Sequence, residues 1–184
     1  MKLNAFAPLF LVAAVFADQY TVDSLKKIVQ ATQDYHNSLS EWDGSYMGGL
    51  VMWRKSVNLV NDLNAMGSHP QARHLETAGP AEDDKLDQEG FKVANQLVDE
   101  IKGAVDTAIS LKNKYEGIPM LGKRIALRNL NSIREASANL GAVFGPKAAH
   151  VRLQESKDIV KQIDQEFSRA IRALKEVGGS KTSE

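Results

Sequence analysis

The 184 residues include no cysteine. Disulfide frameworks, cysteine-ligated zinc, iron–sulfur clusters and thiol catalysis are therefore excluded. No sign of charge dominates either: 23 Lys and Arg balance 23 Asp and Glu, beside four His. That balance leaves no electrostatic footprint for nucleic acid or an anionic membrane, so no nucleic-acid partner is expected. Aromatic residues make up only 7% of the chain, which leaves little bulky filler for an interior. Period-two alternation is missing over any useful length, so strands are not expected. No apolar run reaches the roughly 20 residues of a transmembrane helix, and none is expected.

The longest apolar run that does occur lies at the N-terminus. Ala5 to Phe16 follows Met1-Lys2 and ends at Val15-Phe16-Ala17. It is too short for a bilayer span and has the form of a secretory signal peptide cleaved before Asp18; a buried N-terminal helix is the alternative. The expected division is residues 1–17 as signal peptide, 18–177 as one helical-bundle domain and 178–184 as a disordered tail. The mature chain then loses three of its six Phe and one of its 23 basic side chains, Lys2, leaving a side-chain charge of −1. A secreted protein without cysteine must hold together by packing alone. Asn-x-Ser/Thr acceptors are absent, and the C-terminus lacks the apolar tail of a lipid-anchor signal.

Glycine and proline cluster rather than scatter: at Gly44-Gly48-Gly49, from Gly67 to Pro80, at Gly117-Pro119-Gly122, at Gly141-Gly145-Pro146 and at Gly178-Gly179. Between these breakers apolar residues recur at steps of three and four, which places them on one face of a helix. The last segment shows the rhythm best, from Ala149 through Leu153, Ser156, Val160, Ile163, Phe167, Ala170 and Leu174 to Val177, with Pro146 suited to a first turn. A third segment, from about Asp84 to Tyr115, carries Ala94, Leu97, Ile101, Ala104, Ala108 and Leu111. Its Gly103 costs about 1 kcal/mol against Ala in mid-helix, so a kink or a close helix contact is expected there. A fourth runs from about Leu121 to Val143. The first carries Val22, Leu25, Val29, Thr32, Leu39 and Trp42, and the second starts with the apolar run Leu50 to Trp53. The expected fold is all-α, an antiparallel up-and-down bundle of about five amphipathic helices with one long polar connection from Gly67 to Asp83.

Chemical constellations are sparse. Ser45 in Gly44-Ser45-Tyr46-Met47-Gly48 is misplaced for a nucleophile elbow and reads as a flexible link. Gly179-Ser180-Lys181-Thr182 lacks the rest of a phosphate loop. His69 and His74 stand near acidic residues without the spacing of a metal site, so neither a metal nor another cofactor is expected. His36 and His150 read as structural or exposed. Lys123, Arg124, Arg128 and Arg134 make the start of the fourth helix basic, without the stacking aromatics of a nucleic-acid groove. What remains is the apolar stripe itself. Small residues such as Ala104, Ala126, Ser137 and Ala170 alternate with large ones on the inner faces. They permit either close helix packing, the ordinary expectation, or an elongated void suited to an acyl chain.

Over its whole mature length the chain resembles the fungal hydrophobic surface-binding protein A family, which includes the cell-wall galactomannoproteins. The likeness is carried by a signal peptide before a cysteine-free five-helix region. It is carried also by Leu25-Lys26-Lys27-Ile28-Val29, by Gly48-Gly49-Leu50 before the second helix, and by Leu111-Lys112-Asn113-Lys114-Tyr115 before a Gly-containing link, Leu130 to Leu140 and the final helix. The resemblance implies a secreted, non-enzymatic, wall-associated protein that adsorbs to hydrophobic surfaces or binds fatty acids between its helices and recruits a polyester-degrading esterase or cutinase. Residues facing inward from the second to fifth helices would line that space: Leu50, Trp53, Val57, Val60, Leu97, Ile101, Val105, Leu130, Ile133, Leu140, Val160, Ile163 and Phe167. The chain lacks the Ser/Thr-rich stalk of wall-anchored relatives. The edge from Leu50 to Trp53 beside Gly48-Gly49 is the expected opening. The competing readings are a ligand-free structural or antigenic protein and a hydrolase of hydrophobic substrates, for which no nucleophile, base and acid can be assembled.

Overall fold

The structure, a computed structural model, describes residues 19–68, 80–118, 122–144 and 153–176. The expected signal peptide, the tail, His69, His74, Pro146, Ala149, His150 and Val177 lie outside the described residues. Among the described residues five long helices and one short one form, α1 (Gln19–Ser40), α2 (Tyr46–Ser68), α3 (Pro80–Ser110), α4 (Lys112–Glu116), α5 (Gly122–Phe144) and α6 (Leu153–Glu176). No strand forms among the described residues. The all-α expectation holds, and the three-four rhythm reports the buried face of α1, where Val22, Leu25, Val29, Thr32 and Leu39 are all buried.

Several boundaries differ from the sequence reading, for identifiable reasons. α2 begins at Tyr46, so Gly48 and Gly49 lie inside a helix and not in a link or hinge. Ser45 caps it: its Oγ accepts the Gly48 amide proton at 3.1 Å, and its own amide donates to Asp43 Oδ1 at 2.7 Å. Hydrogen bonding from the Ser45 hydroxyl, the larger influence, and from the Ser45 amide holds the Asp43 carboxyl below its ordinary range. Gly48 is needed for room, since a Cβ there would lie 2.6 Å from Trp42 Cδ1. Trp42 falls beyond α1 and is nevertheless buried, with its indole N–H donating to the Ser45 carbonyl at 2.8 Å. The third helix breaks at Leu111, and α4 completes the run with Lys114 Nζ donating to the Trp42 carbonyl at 2.8 Å. Tyr115 then stacks at a tilt on Trp42, ring centroids 4.9 Å apart.

The spatial order of the helices is not their chain order. α1 packs on α2 and α3, α3 on α6, α6 on α5 and α5 on α2, which closes a ring of five. Consecutive long helices alternate in direction, so α1 and α3, which lie side by side, run parallel, as the pairs Lys26–Glu89, Gln33–Glu100 and His36–Thr107 show. α2 and α3 are not neighbours in the ring; α2 runs to Ser68 and α3 starts at Pro80, inside the connection expected from Gly67 to Asp83, and residues 69–79 lie outside the described residues. Exposed ion pairs cross the seams, Arg134 to Asp164 at 2.6 Å and Arg169 to Asp106 at 2.7 Å. Each stabilises by no more than about 1 kcal/mol and serves register more than strength. The core fills from all five long helices, with Leu25, Leu39, Ile163 and Leu174 nearly inaccessible. Ala94, Ala104, Ala108, Ala136 and Ala170 are buried. Gly103 shows the close contact expected of it, because a Cβ there would come within 2.8 Å of His36 Cε1.

Candidate ligand cavity

A ring of five helices leaves an axis that no single pair of side chains can fill. Two spaces open along it. The larger, about 500 Å³, lies between the first half of α2 and the first half of α5, with α1 behind and α4 at one end. It falls within the roughly 300–1,000 Å³ usual for small-molecule sites. The smaller, about 40 Å³, lies deeper and is lined from all five long helices. At about 24 cal/mol per Å³, a void of 40 Å³ costs roughly 1 kcal/mol to leave empty. Its wall is almost wholly aliphatic and aromatic, so water would gain no partners inside.

The larger cavity has an aromatic floor and a polar edge. Trp42, Tyr115 and Ile118 line one end, where Gly122 permits close approach because a Cβ would overlap the Tyr115 carbonyl. Along the α2 wall stand Tyr46, Leu50, Trp53, Val57 and Val60, one turn apart. Ser56 is buried in the same wall, and its hydroxyl donates to the Trp53 carbonyl at 2.7 Å. The α5 wall contributes Ile125 and Ala126, then Arg128, Asn129 and Ser132. Arg128 is the only cation in the lining, and it makes no ion pair among the described residues. Burial pushes the Tyr35 phenol up to about 12 and raises that of Tyr115 still further, in the second case with help from the Tyr35 charge. Both are neutral hydroxyls at physiological pH.

The residues expected to line a cavity separate into two groups. Leu50, Trp53, Val57 and Val60 line the larger space, whereas Leu97, Ile101, Val105, Leu130, Ile133, Ile163 and Phe167 line the smaller. Val160 is buried in the core and lines neither, and the side chain of Leu140 lies outside the described residues. The second helix is turned one row from its expected orientation. Met52, Ser56, Leu59, Leu63 and Met66 face the core, while Leu50, Trp53 and Val57 stay 37%, 47% and 38% exposed at the cavity edge. With Tyr46, Met47 and Val51 they form an exposed apolar strip on α2.

Sequence reading did not single out Tyr35, Tyr46, Ile118, Asn129 or Ser132 for the lining. Tyr35 continues the α1 rhythm between Thr32 and Leu39, so its spacing was the available signal. Arg128 reads from sequence as a solvated cation, because nothing local reveals that α2 stands opposite. The ordinary expectation of close packing along the whole interior does not hold.

His36 meets the hydroxyl of Thr107 at 3.0 Å through Nε2 and the carboxylate of Glu100 at 3.8 Å through Nδ1. The order imitates a nucleophile–base–acid trio. It sits in the α1–α3 seam, bordering neither cavity, and the surrounding helical amides are committed to their own helices and cannot stabilise an oxyanion. Among the described residues no group of three or more metal-ligating side chains gathers, and no helix is long and apolar enough to cross a membrane.

The fold and the cavity define a five-helix all-α bundle with a largely apolar space open between α2 and α5. No family model and no curated protein sequence matches the chain. Solved structures do match in fold. AfMP4p in complex with palmitic acid superposes with a TM-score of 0.73 at 16% identity, over 84% of this chain and 97% of that one. Ligand-binding domain 1 of the Penicillium marneffei MP1 protein, complexed with arachidonic acids, gives 0.64 at 17% identity over 85% and 97%. Domain 2 of the same protein, complexed with multiple arachidonic acids, gives 0.54 at 17% identity over 83% and 95%.

Proposed function

We propose that this protein is a non-enzymatic carrier of fatty acids, holding the acyl chain in the cavity between α2 and α5. The observation that carries the reading is the space of about 500 Å³ with an aromatic floor and one cation at its edge. Each methylene transferred from water into such a space contributes about 0.8 kcal/mol, so an acyl tail binds there without any catalytic group. Arg128, with Asn129 and Ser132 beside it, supplies donors for a carboxylate, and a charge-assisted bond to guanidinium is among the stronger hydrogen bonds. The fatty acids in the superposed structures support the same ligand class.

Titration of delipidated protein with palmitate, followed by native mass spectrometry and Trp fluorescence, tests the proposal. One-to-one uptake that weakens in Arg128→Ala is expected. An apo mass at every palmitate concentration would leave the ligand-free structural reading in its place.

The exposed strip on α2 supports a second activity, adsorption to hydrophobic surfaces. Exposed apolar patches of this kind mark contact sites, and Trp suits an interface between water and an apolar phase. The sequence resemblance supports secretion to the cell wall and recruitment of a polyester-degrading esterase. Trp53→Asp is expected to reduce adsorption to wax or polyester while helix content is retained; undiminished adsorption of the folded variant would remove the strip from the account.

A further inference from the structure

Tyr35 is the one residue that borders both cavities. It lines the space between α2 and α5 and also the small void among Leu97, Ile101, Leu130, Ile163 and Phe167. No hydrogen bond from its hydroxyl is formed among the described residues, so apolar contacts alone hold the ring in place. A helical Tyr has two comfortable χ1 wells, and exchanging them moves the ring by several ångströms without disturbing the backbone.

We propose that the Tyr35 ring is a movable partition that sets the acyl-chain length this protein accepts. With the ring in place, a tail is confined to the outer cavity. With the ring displaced, the methyl end of a longer tail passes into the inner void, where side chains of all five long helices contact it. The inner void is small as it stands, and the volume vacated by the ring is what makes it useful to additional methylenes. Ala104, Thr32 and Ser137 border it and keep the inner wall short of side-chain bulk. The Thr32 hydroxyl is already committed to the Ile28 carbonyl at 2.8 Å, so it presents its methyl group and no unmet polar demand. The inference rests on the fatty-acid reading above and adds a chain-length rule to it.

The test is a comparison of decanoate and stearate binding to delipidated protein, with helix content checked for each variant. Tyr35→Ala is expected to tighten stearate by about tenfold relative to decanoate. Tyr35→Phe, which keeps the ring, is expected to keep the parent's stearate-to-decanoate ratio, and a shift like that of Tyr35→Ala would overturn the partition. Ala104→Val, which fills the inner void, is expected to weaken stearate and leave decanoate unchanged. Equal changes for both acids in Tyr35→Ala would overturn the partition, as would unaltered stearate binding in Ala104→Val. Should Tyr35→Ala lose its helix content, the Ala104→Val comparison decides alone. If the parent protein binds neither acid, the carrier reading itself falls; if it binds decanoate and the ratios do not move, only the partition falls.

Discussion

At the scale of single residues, two positions show contact geometry overriding intrinsic preference. Gly103 sits in mid-helix, where Ala would be favoured by about 1 kcal/mol. A Cβ there would press on the His36 ring, which is held between Thr107 and Glu100. Gly103→Ala is therefore expected to destabilise the protein by about 1 kcal/mol, the lost seam exceeding the gained propensity. In a His36→Ala background the same change is expected to stabilise. A double-mutant cycle by urea unfolding checks the reversal of sign, and an equal change in both backgrounds would show that the two sites do not interact. Tyr35 makes a pH prediction. Its folded pKa is about 12 against an ordinary 10.0, so the folded state keeps the proton more tightly than the unfolded chain does. That contribution is complete below pH 10 and disappears as the pH climbs to about 12. Tyr35→Phe is expected to unfold less steeply in this alkaline window, with no difference in pH dependence near neutrality.

At the scale of elements, α2 shows what periodicity conveys and where it fails. Its apolar residues are frequent enough to mark a helix, but Leu50, Val51, Met52 and Trp53 are consecutive and could fit any of several faces. The register that won puts Met52, Ser56, Leu59 and Leu63 inward. A buried Ser in that stripe has no hydrophobic signature, and its hydroxyl is satisfied by the carbonyl three residues back. α6 was far more legible: Val160, Ile163, Phe167, Ala170 and Leu174 are all buried as its rhythm dictates. The start of α2 is not legible in the sequence, because Gly48 and Gly49 are also the letters of a loop. What distinguishes them is the neighbour, an indole packed on the Gly48 backbone, and no local pattern records a neighbour. Ser45→Ala is expected to cost about 1 kcal/mol through loss of the N-terminal cap. Gly48→Ala is expected to unseat Trp42 and shift its fluorescence in a Trp53→Phe background; an unshifted spectrum would show that the indole yields without leaving its site.

At the scale of the whole molecule, a ring of five helices resolves the shortage of aromatic filler by leaving space unfilled. The expected lining residues fall on opposite sides of Tyr35 because periodicity identifies inward faces but not how far from the axis each one stops. Such an interior trades stability for capacity, since the walls of an empty cavity lack contacts on one side. A ligand that enters restores them, adding about 2.7 kcal/mol when present at a hundred times its dissociation constant. The trade predicts opposite effects for a substitution that fills the outer cavity from within. Ala126 lines that space on α5, and Ala126→Phe would place a ring where about 500 Å³ stands open. The unliganded variant is expected to unfold at a higher temperature than the unliganded parent, stabilised by about 1 kcal/mol of newly buried apolar surface. Addition of palmitate is then expected to raise the parent's midpoint and leave that of the variant nearly unmoved. A variant that is both less stable and equally responsive to palmitate would mean that the acyl chain lies elsewhere, and that α2 and α5 are packed by demands other than a ligand.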